Sequence, residues 1–132
     1  MDEFLKPNAN FLRLVEDWEK YGILTIGFDF DGTVHDYHKK GHTYNMVIEL
    51  LRELKSIGCH LVCWTAYKDI EVYVPQFLTE NNIPFDEINS KGIALPWESK
   101  KPFFSALLDD RAGLESTYRD LSLLVWYVKK HK

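Results

Sequence analysis

The sequence predicts an α/β fold built on a mainly parallel sheet with right-handed crossovers, and three observations lead there. Strand-like and helix-like segments alternate along the chain. The first strand-like run, ILTIGFDF (Ile23 to Phe30), is apolar almost without interruption, as in a strand covered on both faces. Polar groups recur where strands end, which is where open parallel sheets bind their ligands.

Each element has a local reason. From Asn10 to Tyr21 the residues Phe11, Leu14, Val15, Trp18 and Tyr21 recur at helical spacing and Gly22 follows as a stop signal, so a first helix is expected over about 10–21. Thr43 is placed to cap a second helix in which Met46, Val47, Leu50, Leu51, Leu54 and Ile57 form one stripe, closed by Gly58. HLVCWT (His60 to Thr65) reads as the second strand. DIEVYVPQFLTENN (Asp69 to Asn82) is apolar at helical intervals but contains Pro75, so its helix is expected to start near Val74. PFDEIN (Pro84 to Asn89) gives a short third strand, and Ser90 to Pro102, with Gly92, Pro96 and Pro102 and no clean period, reads as a loop. FFSALLDD (Phe103 to Asp110) is the fourth strand, and Leu114, Tyr118, Leu121, Leu124, Val125 and Val128 fit a closing helix over about 114–130.

Composition bounds the class. At 132 residues the chain is expected to be one domain over 1–132, and an apolar fraction of 45% with 14% aromatic residues is that of a globular protein. Sixteen Lys and Arg against twenty Asp and Glu give a net charge of -4, which argues against a protein whose main task is gripping polyanions. Cys59 and Cys63 stand in a strand-like context without disulfide or zinc spacing. No signal-peptide pattern or membrane-length apolar stretch is seen, and a soluble cytoplasmic protein is the expectation.

The chemistry concentrates at strand ends. Asp29 and Asp31 follow the first strand, Thr65 the second, and Asp109 with Asp110 the fourth, so all are expected on one rim. Alternate residues of an extended strand share a face, which sends Asp29 and Asp31 out together while Phe30 packs away. Four gathered carboxylates repel one another, and a hard divalent cation with oxygen ligands relieves this at neutral pH; magnesium is the natural candidate. A calcium-binding EF-hand loop starting at Asp29 fails, because its sixth and twelfth positions hold Val34 and Lys40 rather than Gly and Glu. The glycines form neither a G-x-G-x-x-G nor a G-x-x-x-x-G-K pattern.

DFDGTV, then a strand ending in Thr65, then LLDD, in that order, resembles the haloacid dehalogenase (HAD) superfamily of aspartate-dependent phosphatases, over Ile23 to about Gly113. The resemblance implies a Rossmann-like, HAD-type three-layer sandwich with its catalytic core at about 23–113. Members that act on small metabolites commonly insert a lid; here one loop and one helix fill Asp31 to Thr65, and one helix and one strand fill Thr65 to Asp109, so no cap domain is expected and the pocket is open.

The resemblance also implies roles. Asp29 is the nucleophile that forms an aspartyl-phosphate, ionised at pH 7 without help from a base. Asp31 protonates the leaving oxygen and then deprotonates the attacking water. Magnesium is held by Asp29, the backbone carbonyl of Asp31, and Asp109, with Asp110 direct or through water. Thr65 hydrogen-bonds a phosphoryl oxygen. A lysine completes the charge balance, ranked Lys101, then Lys100, then Lys91. Gly32, Thr33, Tyr67, Lys100 and Arg111 are the substrate-side candidates.

Plainer readings stand beside these. An aspartate pair at a strand end is ordinarily a solvated turn, Thr65 alone a routine strand-end threonine, and Arg111 equally a structural ion-pair partner. His35, His38 and His42 cluster without the acid or thiol spacing of a metal site and read as solvated loop histidines flanking the rim. Trp64 reads as core; of Trp64, Tyr67 and Trp97, Tyr67 is the better ring to stack on a substrate. Three functions follow: a magnesium-dependent phosphomonoesterase on a phosphorylated small molecule such as a nucleotide; the same chemistry on a macromolecular end, for example a nucleic-acid terminal phosphate, which net acidity disfavours; and a non-catalytic metal- and phosphate-binding domain akin to a signalling receiver. A homo-oligomer closing the open site is compatible with all three.

Overall fold

The computed structural model describes residues 2–90 and 103–131. A short 3-10 turn, Glu3–Leu5, precedes α1 (Ala9–Tyr21); then come β1 (Thr25–Phe28), α2 (Asn45–Ser56), β2 (His60–Cys63), α3 (Tyr73–Glu80), β3 (Glu87–Ile88), β4 (Ala106–Leu108) and α4 (Leu114–His131). The four strands form one sheet in the order β3-β2-β1-β4, parallel at every junction. With its flanking helices this is a Rossmann-like three-layer α/β sandwich, as the alternation of elements predicts.

β1 is central because its sequence tolerates burial on both faces. All four of its residues are buried, paired with β2 through Thr25–His60 to Phe28–Cys63 and with β4 through Ile26–Ala106 to Phe28–Leu108. Ile26 and Phe28 are fully buried, each worth about 1.5–3 kcal/mol relative to exposure. Gly27 faces the other way, where the Phe104 ring lies in the space a side chain would fill: a Cβ there would meet ring atoms at 2.6 and 2.7 Å. Phe104 in turn meets Trp64 edge to face at 5.7 Å. The two-residue β3 is held partly by a side chain, since Asp86 Oδ2 accepts the Leu61 N–H (2.8 Å) while the Asp86 N–H donates to the Leu61 carbonyl (2.8 Å).

The helices pack as their stripes require. α1 ends where expected, with Gly22 in the left-handed region (φ 75°), its N–H donating to the Trp18 carbonyl. α1 lies against α4 through buried Leu14, an edge-to-face pair of Trp18 and Tyr127 at 6.2 Å, and a hydrogen bond from Asn10 Nδ2 to Asp120 Oδ2. α4 also contacts α2 and β4 and buries Leu121, Leu124, Val125 and Val128. α3 starts at Tyr73, one residue before the expected Val74; Pro75 falls in its first turn, where the missing N–H would have had no helical partner.

Some expectations fail locally. Thr43 does not cap α2: Tyr44 occupies that position in a left-handed conformation (φ 54°), with no side-chain cap bond. Met46 is 68% exposed and Ile48 is buried instead, so the buried stripe is rotated about the helix toward Ile48 relative to the expected one. β1, β2 and β4 are shorter than their apolar runs, whose ends bend into the loops carrying the polar rim. The segment 91–102, which includes Lys91, Gly92, Pro96, Trp97, Lys100, Lys101 and Pro102, lies outside the described residues. Cys59 and Cys63 are buried thiols not joined as a disulfide; burial, and then the charges of Asp29 and Asp31, push the Cys63 thiol up to about 12. Among the described residues no helix is long and apolar enough to cross a membrane.

The close approach at Gly27 sets the first prediction. Gly27→Ala forces the Phe104 ring out of its place against Trp64 and lowers the free energy of unfolding by about 1–3 kcal/mol in urea titrations, an overpacking cost. Unchanged stability would show that the ring is not held there.

Candidate active site

The carboxyl ends of the central strands build the rim. The Asp29 N–H extends the β1–β4 ladder by donating to the Leu108 carbonyl (2.8 Å), which fixes the Asp29 side chain beside the end of β4. Phe30 is fully buried, so Asp29 and Asp31 both emerge toward one cleft, as strand alternation predicts. The chain then folds back tightly. The Phe30 carbonyl accepts N–H donors from Val34 (3.0 Å) and His35 (2.9 Å), and the Gly32 N–H donates to the His35 carbonyl (3.0 Å). Gly32 has φ +80°, and a Cβ there would sit 2.8 Å from Asp110 Oδ2; glycine is required both by the turn and by the acid packed over it.

The cleft has a volume of about 820 Å³, and Asp29, Asp31, Thr65, Tyr67, Asp109 and Arg111 are among the residues lining it, with Gly32, Asp110 and Lys68. Asp29, Asp109 and Asp110 each bring a carboxylate oxygen within 4.8 Å of the others. Burial, then the charge of Asp109, with Asp110 adding, raises Asp29 to about 7 despite an opposing backbone hydrogen bond. The expectation that this carboxylate ionises freely at neutral pH is corrected accordingly: without a nearby positive charge its surroundings favour the protonated form. Three oxygen donors gathered this closely, one of them held toward its protonated form by burial and by its neighbours' charge, are a donor set suited to a hard divalent cation such as magnesium. The Asp31 carboxylate stands apart from this trio and accepts instead from His35.

Thr65 lines the cleft from the end of β2. Its N–H donates to Asn89 Oδ1 (2.8 Å) and its Oγ1 accepts the Tyr67 N–H (3.0 Å), so the side chain is held by the loop it begins. Asp109 Oδ1 accepts the Arg111 N–H (2.9 Å). Tyr67 stacks on Tyr73 at 5.2 Å and meets Tyr37 edge to face at 6.5 Å, which makes one wall of the cleft aromatic. Thr33 behaves otherwise than a substrate-side residue: it is fully buried, its Oγ1 accepting the Asp110 N–H (3.2 Å) and facing Asp110 Oδ1 (3.4 Å), and it clips the β1 loop to the end of β4.

Three features were missed by the sequence reading. His35 is not a solvated loop histidine: it is buried, its ring stacked on Phe30, and both ring nitrogens are bonded. Its only sequence signal is its place four residues after Asp31 in the same turn. Tyr73, its second partner, comes from α3 and carries no motif. Lys68 lines the cleft three residues after Thr65, whereas the lysines ranked from sequence, Lys101, Lys100 and Lys91, lie outside the described residues. His38 lines the rim and His42 is exposed, as expected of that loop.

No family model and no curated protein matches the chain. Among solved structures it is similar to a conserved protein from Bacteroides thetaiotaomicron, at 22% identity and a TM-score of 0.60 over 83% of this chain and 93% of that one. It is also similar to a structural-genomics target from Vibrio cholerae, at 24% identity over 83% and 99% of the two chains, with a TM-score of 0.48. The first likeness bears on the fold alone, and the second is too loose to carry an argument.

The raised pKa of Asp29 has a stability consequence. Between its ordinary 3.8 and about 7 the folded state holds a proton that the unfolded chain has released, so this group's contribution falls as pH rises through that window and is level above it. In thermal melts the wild type is therefore expected to lose stability relative to Asp29→Asn as pH is raised from about 4 to 7, and added magnesium to narrow the gap at the upper end. A difference that does not change with pH would remove the raised Asp29 pKa, and with it the burial and crowding of this carboxylate, from the account.

Proposed function

We propose that this chain is a magnesium-dependent phosphomonoester hydrolase of the haloacid dehalogenase kind, working through an aspartyl-phosphate on Asp29. The observation that carries the reading is the convergence of Asp29, Asp31, Thr65, Asp109 and Asp110 in one cleft at the carboxyl edge of a parallel sheet, in the order the D-x-D-G-T resemblance requires.

Asp29, Asp109 and Asp110, with the backbone carbonyl of Asp31, are the residues that would hold the metal. A divalent cation there supplies positive charge between the nucleophile and a phosphate dianion, and it favours the ionised form of Asp29. A carboxylate oxygen of Asp29 attacks phosphorus; the bond from phosphorus to the ester oxygen breaks, and Asp31 gives that oxygen its proton. Water then attacks the phosphorus of the aspartyl-phosphate and Asp31 takes a proton from it. Inorganic phosphate leaves and both carboxyl groups return to their starting states. The Thr65 hydroxyl, already an acceptor from Tyr67, keeps its hydrogen to donate to a phosphoryl oxygen. Lys101 remains the proposed partner of the transferring group, ahead of Lys100 and Lys91; Lys68 and Arg111 add positive charge at the described rim.

A small ring-bearing substrate such as a nucleotide is favoured by the aromatic wall of Tyr67 and Tyr37. The same chemistry on a nucleic-acid end is the second reading, supported by a cleft over which no inserted lid stands among the described residues and opposed by the net charge of -4.

Release of inorganic phosphate from nucleoside monophosphates, sugar phosphates and 3′- or 5′-phosphorylated oligonucleotides tests the reading. Turnover is expected with magnesium and not with chelator, falling at least about 10³-fold in Asp29→Asn, as loss of a nucleophile requires. Full activity in that variant sinks the mechanism. The salt dependence of kcat/KM separates the two substrate classes: a shallow slope belongs to a compact ligand, a steep one to a polyanion making many phosphate contacts.

A further inference from the structure

The Asp31 carboxylate has one side-chain partner among the described residues, and it is an unusual one. His35 Nδ1 lies 2.7 Å from Asp31 Oδ1, and His35 Nε2 lies 2.9 Å from the Tyr73 hydroxyl. The imidazole is held on every side. It stacks on Phe30 at 4.5 Å with planes 13° apart, meets Phe77 edge to face at 4.8 Å, and is only 8% exposed. Its backbone is fixed as well, since its N–H donates to the Phe30 carbonyl and its carbonyl accepts from Gly32. An ordinary core histidine satisfies its nitrogens on the framework. This one spends Nδ1 on a carboxylate that faces the cleft.

We infer that His35, braced by Tyr73, is a positioning residue for the acid–base chemistry of Asp31: it fixes the Asp31 side chain and selects which of its oxygens carries the proton. This rests on the phosphatase reading and adds a residue to it. A carboxylate only accepts hydrogen bonds, so Nδ1–H donates to Asp31 Oδ1, and a neutral ring then accepts from the Tyr73 hydroxyl at Nε2. The arrangement is unchanged when Asp31 is protonated: Oδ1 still accepts from Nδ1–H, and the proton sits on Oδ2. Oδ2 gives that proton to the departing ester oxygen and later receives one from the attacking water, while the Nδ1–H bond stays in place throughout. This bond keeps the acid within hydrogen-bond reach of the leaving group.

Leaving groups that differ in their need for a proton expose the role. An alkoxide leaving from a nucleoside 5′-monophosphate requires the acid, whereas dinitrophenolate leaving from 2,4-dinitrophenyl phosphate does not. Both esters pass through the same aspartyl-phosphate, so kcat/KM isolates the first step. In His35→Phe, which keeps a ring against Phe30 but has no donor, the ratio of kcat/KM for the alkyl ester to that for the aryl ester is expected to fall about 10- to 100-fold, part of what a general acid contributes. His35→Asn, which returns an N–H near the position of Nδ1, is expected to recover most of that ratio. Tyr73→Phe should lower it in the same direction by about threefold, the effect of losing one hydrogen bond. Circular dichroism melts establish that each variant is folded; if His35→Phe is not, the Tyr73→Phe ratio decides alone. A ratio that stays at the wild-type value, whether both rates fall together or neither does, overturns the positioning role and leaves the phosphatase standing. Wild-type protein with magnesium that hydrolyses neither ester overturns both.

Discussion

The mutual repulsion of three carboxylates is the constraint on which the rest of this structure depends. Asp29, Asp109 and Asp110 bring carboxylate oxygens within 4.8 Å of one another at the ends of two neighbouring strands, and burial first, then the charges of Asp109 and Asp110, raises Asp29 to about 7. Nothing in folding favours such a cluster. It exists because the framework under it is rigid enough to impose it: a fully buried β1, a ladder carried past the strand by the Asp29 N–H, a glycine at φ +80° that lets Asp110 pack over the turn, and Thr33 clamping that turn to Asp110. Three such oxygen donors form a set suited to a hard divalent cation, which in the proposed function would supply the opposite charge there.

Two carboxylates two residues apart are placed in different surroundings. Asp29 faces the acids Asp109 and Asp110, whereas Asp31 accepts from His35. Strand alternation sends both to the same side, and the turn at Gly32 then brings His35 back beneath Asp31. In the proposed mechanism this division corresponds to one residue that attacks and one that handles protons, as when environment assigns separate roles to chemically identical groups.

Much of this was legible in the sequence. The parallel sheet followed from the unbroken apolar run at Ile23 to Phe30, the helix starting beside Pro75 from backbone chemistry, and the rim from acids at strand ends. What escaped was of one kind. His35 and Tyr73 stand 38 residues apart and meet only through packing of α3 against the first loop, so no local pattern announces them. Thr33 looked like a site residue because it belongs to the D-x-D-G-T run, yet its hydroxyl is used inside the framework. Tyr44, in a left-handed conformation, takes the cap position that the sequence offered to Thr43. Periodicity reports which face is buried; it does not report which polar groups find each other across the fold.

The central claim is that Asp29 becomes phosphorylated, and it can be tested at that atom. Asp31→Asn protein with magnesium and 2,4-dinitrophenyl phosphate should form the aspartyl-phosphate readily and hydrolyse it slowly, because only the second step then needs the missing base. Rapid quenching, borohydride reduction and peptide mass spectrometry are predicted to find homoserine at position 29. Dinitrophenolate released with Asp29 left unmodified, or the label found on another side chain, would contradict the account.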